Sequence, residues 1–198
     1  MDNSEIAKGI RSCILLFVSV VVLSLVYTFF ITWGAQILTP YQAGGSLIYV
    51  NGTVVGSELI GQNFSSPGYF HGRPSAVDYN ASNSGGSNYG ATSATLMDQV
   101  KQRVAKVRSE NNLSPNASVP ADLVLASGSG LDPHISLEGA MIQVQRVAKA
   151  RGLPESEIKA LVDQHTEYPQ FGFLGQTRIN VLKLNIALDE LTRGDNDR

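Results

Sequence analysis

The chain has 198 residues, 43% of them hydrophobic and 16% charged, with a formal charge of −2. This length suits one domain with a modest core, and the faintly acidic balance supplies no basic field, which argues against nucleic acid as a partner. The single cysteine, Cys13, and the three histidines, His71, His134 and His165, are too few for a structural zinc site or a disulfide, so no metal site is expected.

The first element is an uncharged apolar run, Cys13 to Trp33. At about 1.5 Å per residue, some 21 residues of helix cover roughly the 30 Å core of a bilayer, whereas a signal-peptide core has only about 7 to 15. No A-x-A-like cleavage site follows, so the run reads as a retained single-pass anchor in the cell membrane. Lys8 and Arg11 precede it, and Arg73 is the only base in roughly the next 60 residues, so the positive-inside bias puts the N-terminus in the cytoplasm and the large domain outside. Ser24, Thr28 and Thr32 recur along one side of the span, where small hydroxyl residues allow a second transmembrane helix to approach and bond. The span has no ionisable residue and is not itself an ion path.

Residues 34–45, with Pro40 and several glycines, read as a tether. The domain begins near Ser46. Leu47–Val50 and Thr53–Val55 flank Asn51-Gly52, whose tolerance of positive φ suits the type I′ turn of a hairpin. From Gly56 to Ala91 there is no helical period, but Phe64, Tyr69, Phe70 and Tyr79 interrupt the Gly/Ser/Asn-rich sequence, which fits an ordered surface loop better than a linker. With exposed aromatics, that loop is the expected partner surface, through Tyr69, Phe70 and Arg73.

Leu96, Val100, Val104 and Val107 lie at helical spacing within 92–111, with basic residues on the other positions as a solvated face. Asp132-Pro133 offers an N-cap with proline at the first helical position, followed by a stripe of Leu137, Met141, Val144 and Val147 or Ala148 ending near Arg151-Gly152. Pro154 opens a further helix to about His165. Asn180 caps a last one carrying Val181, Leu184, Leu188 and Leu191 and ending before Gly194. Strands early and helices late give an α+β class. The expected division is 1–12, cytoplasmic; 13–33, transmembrane helix; 34–45, tether; 46–194, one mixed α/β extracytoplasmic domain; and 195–198, tail.

Ser127, Ser129, Asp132 and His134 lie close in sequence and invite a serine-hydrolase reading. Triad members must converge in space, however, and Gly128-Ser129-Gly130 lacks the outer spacing of a nucleophile elbow. Ser84-Gly85-Gly86 could turn backbone N–H groups toward an anion, yet the Lys and Ser/Thr of a Walker loop are missing. Gln143 and Arg146 share a helix face and could grip a phosphate or a carboxylate. Five sequons, at Asn51, Asn63, Asn80, Asn112 and Asn116, are glycosylation candidates on the expected outer side.

Several motifs in order carry a wider pattern: Ile60-Gly61-Gln62-x-Phe64, Pro67-x-Tyr69-Phe70-x-x-Arg73-Pro74-Ser75, Ser84-Gly85-Gly86-Ser87-Asn88, Val119-Pro120-x-Asp122-Leu123-Val124, Ser127 to Ser136, Gln143-x-x-Arg146-Val147-Ala148-x-Ala150-Arg151 and Asn180-Val181-Leu182-x-Leu184-Asn185. Together they resemble the C subunit of the bacterial and archaeal Kdp potassium pump. One departure is Gly90-Ala91-Thr92-Ser93, where the family reads Gly-Pro-Thr-Asn. The resemblance implies an accessory, non-catalytic subunit of an ATP-driven, high-affinity potassium import complex. Its implied partners are a channel-like potassium-binding subunit and a P-type ATPase catalytic subunit, beside the lipid bilayer. It also implies a contribution to assembly and to the ATP affinity of the catalytic subunit, with Gln143, Arg146 and Ser84, Gly85 and Gly86 as nucleotide-binding residues. No firmly bound cofactor is expected, and potassium is the ion of the complex. The outward placement expected from Lys8 and Arg11 would separate Arg146 from cytoplasmic ATP by a hydrocarbon layer of roughly 30 Å. The alternatives from the residues themselves are a membrane-tethered extracytoplasmic binding module and the serine hydrolase.

Overall fold

The computed structural model describes residues 2–196 and divides the chain into two compact units, Met1–Leu47 and Ile48–Arg198. The first unit is dominated by helix α1, Asn3–Leu38, which buries no residue and whose most apolar stretch has a mean hydropathy of 2.8. Its 36 residues exceed the expected 13–33 span at both ends. At about 1.5 Å per residue it is ~54 Å long, more than a bilayer core needs. The expected tether is itself largely helical, because Ala35, Gln36, Ile37 and Leu38 favour helix and outweigh the lone Gly34. The break comes where Pro40 excludes helical geometry at Thr39 (φ −139°, ψ 61°), and a short helix α2, Pro40–Ala43, follows.

Strand β1 (Leu47–Val50) pairs with β2 (Thr53–Ser57) through Asn51 (φ 51°) and Gly52 (φ 77°), the two positive angles of the expected turn. The chain then runs through the long loop, whose only helical turn is the 3₁₀ turn Ala81–Asn83. Helix α3, Ala94–Glu110, starts where the Ser93 hydroxyl accepts the Leu96 N–H. Its four apolar stripe residues are half-buried as expected.

A helix starting at Asp132-Pro133 is not found. Asp132 instead accepts the His134 N–H at 3.0 Å and the chain extends into β3, His134–Ile135. Ser136 is the cap, accepting the Gly139 N–H at 2.9 Å, while the Asp122 carboxylate accepts the Ser136 N–H at 2.6 Å and its hydroxyl at 3.1 Å. The apolar stripe is then divided between α4 (Leu137–Met141) and α5 (Val144–Arg151). At the division the Gln143 side chain donates to the Gly139 carbonyl, the group its own N–H would take in an unbroken helix, and that N–H turns to Ala140 O.

Gly152 ends α5 in the left-handed region (φ 70°), as its position past the last apolar residue predicts. Helix α6 (Glu155–Gln164) leads to β4 (Thr166–Glu167), β5 (Arg178–Asn180) and α7 (Val181–Asn196). The strands form an antiparallel sheet of order β3-β5-β4, with His134 opposite Asn180 and Thr166 opposite Ile179. Asn180 caps α7 by accepting the Lys183 N–H at 3.1 Å. With no proline beyond it, α7 continues through Gly194 and takes in 195–196 of the expected tail, while 197 and 198 lie outside the described residues. The core packs Ile135, Val144, Val147, Ile158, Val162, Ile179, Leu184 and Leu188 between the helices and the sheet, and Phe70 enters it from the long loop.

Candidate functional site

The polar centre of the domain is a clamp on residues 67–71 of the long loop. Helix α5 and the turn before it carry Gln143, Arg146 and Arg151, and α7 carries Asn185 and Asp189. The buried Gln143 amide accepts the His71 N–H at 2.8 Å and donates to the His71 carbonyl at 3.2 Å. One residue earlier, the buried Asn185 amide treats Phe70 the same way, at 2.8 and 2.9 Å. Two side-chain amides thus stand in for the strand that an extended segment would otherwise need.

Arg146 uses all three of its guanidinium nitrogens. Nε donates to Asn111 Oδ1 at 3.0 Å, Nη1 to the carbonyls of Pro67 and Tyr69 at 2.6 and 2.9 Å, and Nη2 to Gln143 Oε1 at 2.6 Å. Arg151 donates to the Gly68 carbonyl at 2.8 Å, pairs with Asp189 at 2.8 Å and lies over the Tyr69 ring, 4.5 Å from its centre. Tyr69 in turn donates to Asp189 at 3.0 Å. Burial, and then the Arg146 charge, lower the pKa of His71, against the opposing Ser66 carbonyl and Glu110. Burial likewise lowers the pKa of Arg146, which Glu110 partly offsets.

The exposure expected of the loop aromatics is therefore corrected. Phe70 is fully buried, because its backbone is pinned between α5 and α7 and its ring fills the core. Tyr69 and Arg73 are half-buried and engaged: Arg73 donates to Asp132 at 2.9 Å. Burial raises the pKa of Asp132, but the His134 side chain and backbone N–H together with Arg73 outweigh it, holding the carboxyl at about 2. Asp132, Arg73 and His134 edge a cleft of about 830 Å³ that also reaches Asp122, Glu138 and Arg178. A smaller cavity of about 320 Å³, also lined by Arg73, is bounded by His71, Tyr79, Lys106 and Glu110.

Ser84, Gly85 and Gly86 sit elsewhere. The Ser84 hydroxyl and the Gly85 N–H both donate to the Ser129 carbonyl, at 3.0 and 2.9 Å, and a side chain at Gly86 would come to 3.0 Å from Gly128 O. This segment is a packed seam, and its contacts are not those of Gln143 and Arg146. Ser127 is buried, the Ser129 hydroxyl accepts the Leu131 N–H at 3.1 Å, and among the described residues no hydrogen bond joins His134 to either serine. No group of three or more His, Cys, Asp or Glu side chains able to hold a metal occurs among the described residues. In α1, Ser24, Thr28 and Thr32 are exposed along the helix.

The clamp's second half, Asn185 with Asp189, had no role assigned from the sequence, where Asn185 appears only as the end of the motif beginning at Asn180. The signal was present: Asn185 stands four residues after Val181 and one after Leu184, on the core side of an amphipathic helix, where a polar side chain needs a buried partner.

A family model described as "K+-transporting ATPase, c chain" matches residues 9–190. Curated relatives share about half their residues with this chain. A potassium-transporting ATPase KdpC subunit of Rhodopseudomonas palustris is 53% identical over 179 residues, 83% of this chain and 88% of that one. Its counterpart in Caldanaerobacter subterraneus subsp. tengcongensis is 48% identical over 188 residues, 95% of this chain and 96% of that one. Another, from Nitratidesulfovibrio vulgaris, is 52% identical over 171 residues, with 85% and 86% coverage.

Proposed function

The chain belongs to the KdpC family, the c chain of K+-transporting ATPases and a non-catalytic subunit, and from that membership we propose how its parts serve the complex. Helix α1 anchors the chain in the membrane by docking against a channel-like potassium-binding subunit, with Ser24, Thr28 and Thr32 at the contact. The folded domain lies outside and stabilises the assembled pump at its potassium entrance. A P-type ATPase subunit supplies the hydrolytic chemistry, and potassium is the ion carried.

The observation that carries this reading is that the family match, residues 9–190, takes in both the apolar helix and the domain. A long apolar helix and an attached domain therefore occur together as one family unit. The clamp supports a positioning role for Gln143 and Arg146, since their polar atoms are committed to the chain's own loop. Any rise in ATP affinity would then reach the catalytic subunit through assembly, not through a nucleotide held here.

The test is potassium uptake and recovery of the assembled pump in cells lacking this chain. Loss of both, with restoration by the intact chain and not by its domain freed from α1, is the expected result. An active, fully assembled pump without the chain would overturn the proposal.

A further inference from the structure

We propose that α3 is a strap that opens from the domain as one unit, uncovering the loop face of His71 and Arg73 while the clamp and the core stay closed. Helices α5 and α6 bury three residues each, whereas the 17 residues of α3 bury none. Of its apolar stripe, Val107 packs against the core, while Leu96, Val100 and Val104 are half-buried and Met97 is exposed. Between the helix and the long loop lies the cavity of about 320 Å³, lined from α3 by Lys106, Val107 and Glu110 and from the loop by His71, Arg73 and Tyr79. Across a gap of that size the facing side chains make no dispersion contact with each other, so apolar packing holds α3 weakly.

Its fastenings are polar. Arg103 Nη1 donates to the Val124 carbonyl at 3.0 Å, and Arg108 Nε and Nη2 donate to the Ala117 carbonyl at 3.0 and 2.6 Å. Just past the helix, the buried Asn111 accepts from Arg146 Nε at 3.0 Å. Each of these bonds is exchanged for a bond to water when the helix lifts, which keeps its net worth small.

Exposed segments flank the strap on both sides. Residues 88–92 include Asn88 at φ 54° and Gly90, where a Cβ would meet nothing within 4 Å, and residues 114–116 are exposed as well. Beyond these hinges the chain is fixed again, by the Gly85 N–H on the Ser129 carbonyl and by the buried Leu123. The movable unit is therefore 93–113. Thr95, Val100, Val104 and Val107 are β-branched and lower its helix propensity, so a lifted helix of this length melts in water. Its amides then exchange together.

The test is native-state hydrogen exchange, read amide by amide by mass spectrometry, on the full chain in mild detergent with low, non-denaturing urea. Amides from Val100 to Arg108 are expected to exchange about a hundredfold faster than those inside α5, α6 and α7. They should share one opening equilibrium and one urea dependence, shallower than that of the core helices. Arg103→Met should raise α3 exchange about tenfold further and leave α5, α6 and α7 unchanged. Protection of α3 equal to that of the core helices would overturn the proposal. So would protection that falls from the helix centre to its ends without urea dependence, which is fraying, or an Arg103→Met effect that is absent from α3 or shared by every helix.

Discussion

The side-chain amide of Asn185 holds Phe70 by both backbone groups, accepting its N–H at 2.8 Å and donating to its carbonyl at 2.9 Å. The two residues are 115 apart in sequence, so this one side chain fastens the long loop to the last helix. Asn185→Leu keeps the branched shape and heavy-atom count of the side chain and leaves a buried donor and acceptor unpaired. It should cost about 2–5 kcal/mol, summing the two orphaned groups, read as a lower denaturant midpoint of the detergent-solubilised chain. An unchanged midpoint would show that the loop is held by other means.

Arg146 should behave as a structural residue. Arg146→Met removes charge-assisted bonds to Pro67, Tyr69, Gln143 and Asn111 and should destabilise the chain by about 2–3 kcal/mol with no nucleotide present. ATP added to the purified wild-type chain should leave its melting temperature where it was. A rise that the Met variant lacks would restore the nucleotide-binding role.

Asp132 gives a pH signature with a definite sign. Its folded carboxyl, at about 2, lies below the 3.8 of an unperturbed aspartate, so the unfolded state binds more protons between those values and stability rises with pH. The contribution is complete above about pH 4 to 5 and fades as pH falls toward 2. Because the group is partly exposed, solvent screening reduces it to about 1 kcal/mol. Asp132→Asn should therefore destabilise the chain at pH 7, and the difference from wild type should shrink on acidification. A difference constant from pH 7 to pH 2.5 would contradict the pairing with Arg73 and His134.

Two neighbouring glycines make opposite demands. Gly130 sits at φ +69°, and a Cβ there would lie 2.8 Å from the Gly85 carbonyl oxygen, whereas a Cβ at Gly128 meets nothing within 4 Å. Gly130→Ala should cost about 2–3 kcal/mol and Gly128→Ala should stay within about 0.5 kcal/mol. Equal effects in thermal unfolding would show that the seam between 84–86 and 127–130 is looser than the contacts indicate.

Local signals made the helices and the first hairpin legible: Asn51-Gly52 demanded positive φ, Gly152, Pro154 and Asn180 marked helix ends, and apolar spacing gave α3 and α7. The short strands β3, β4 and β5 were not legible, since strands of two or three residues carry no period and are defined by partners far away in the chain. Asp132-Pro133 misled because a carboxylate that caps a helix equally accepts the next-but-one N–H of a turn, and Arg73, 59 residues away, decided between them. Phe70 looked like a surface aromatic because its segment is polar. The amides of Gln143 and Asn185 satisfy the backbone of Phe70 and His71, and Arg146 and Arg151 that of Pro67 to Tyr69, and such long-range pairing has no local sequence mark.

The most direct measurement is to tag the C-terminus, extract the full chain from native membranes in mild detergent, and identify what purifies with it by mass spectrometry. The account predicts stoichiometric recovery of a P-type ATPase chain and a multi-span potassium-binding chain. Recovery of this chain alone, in several detergents that preserve its fold, would contradict it.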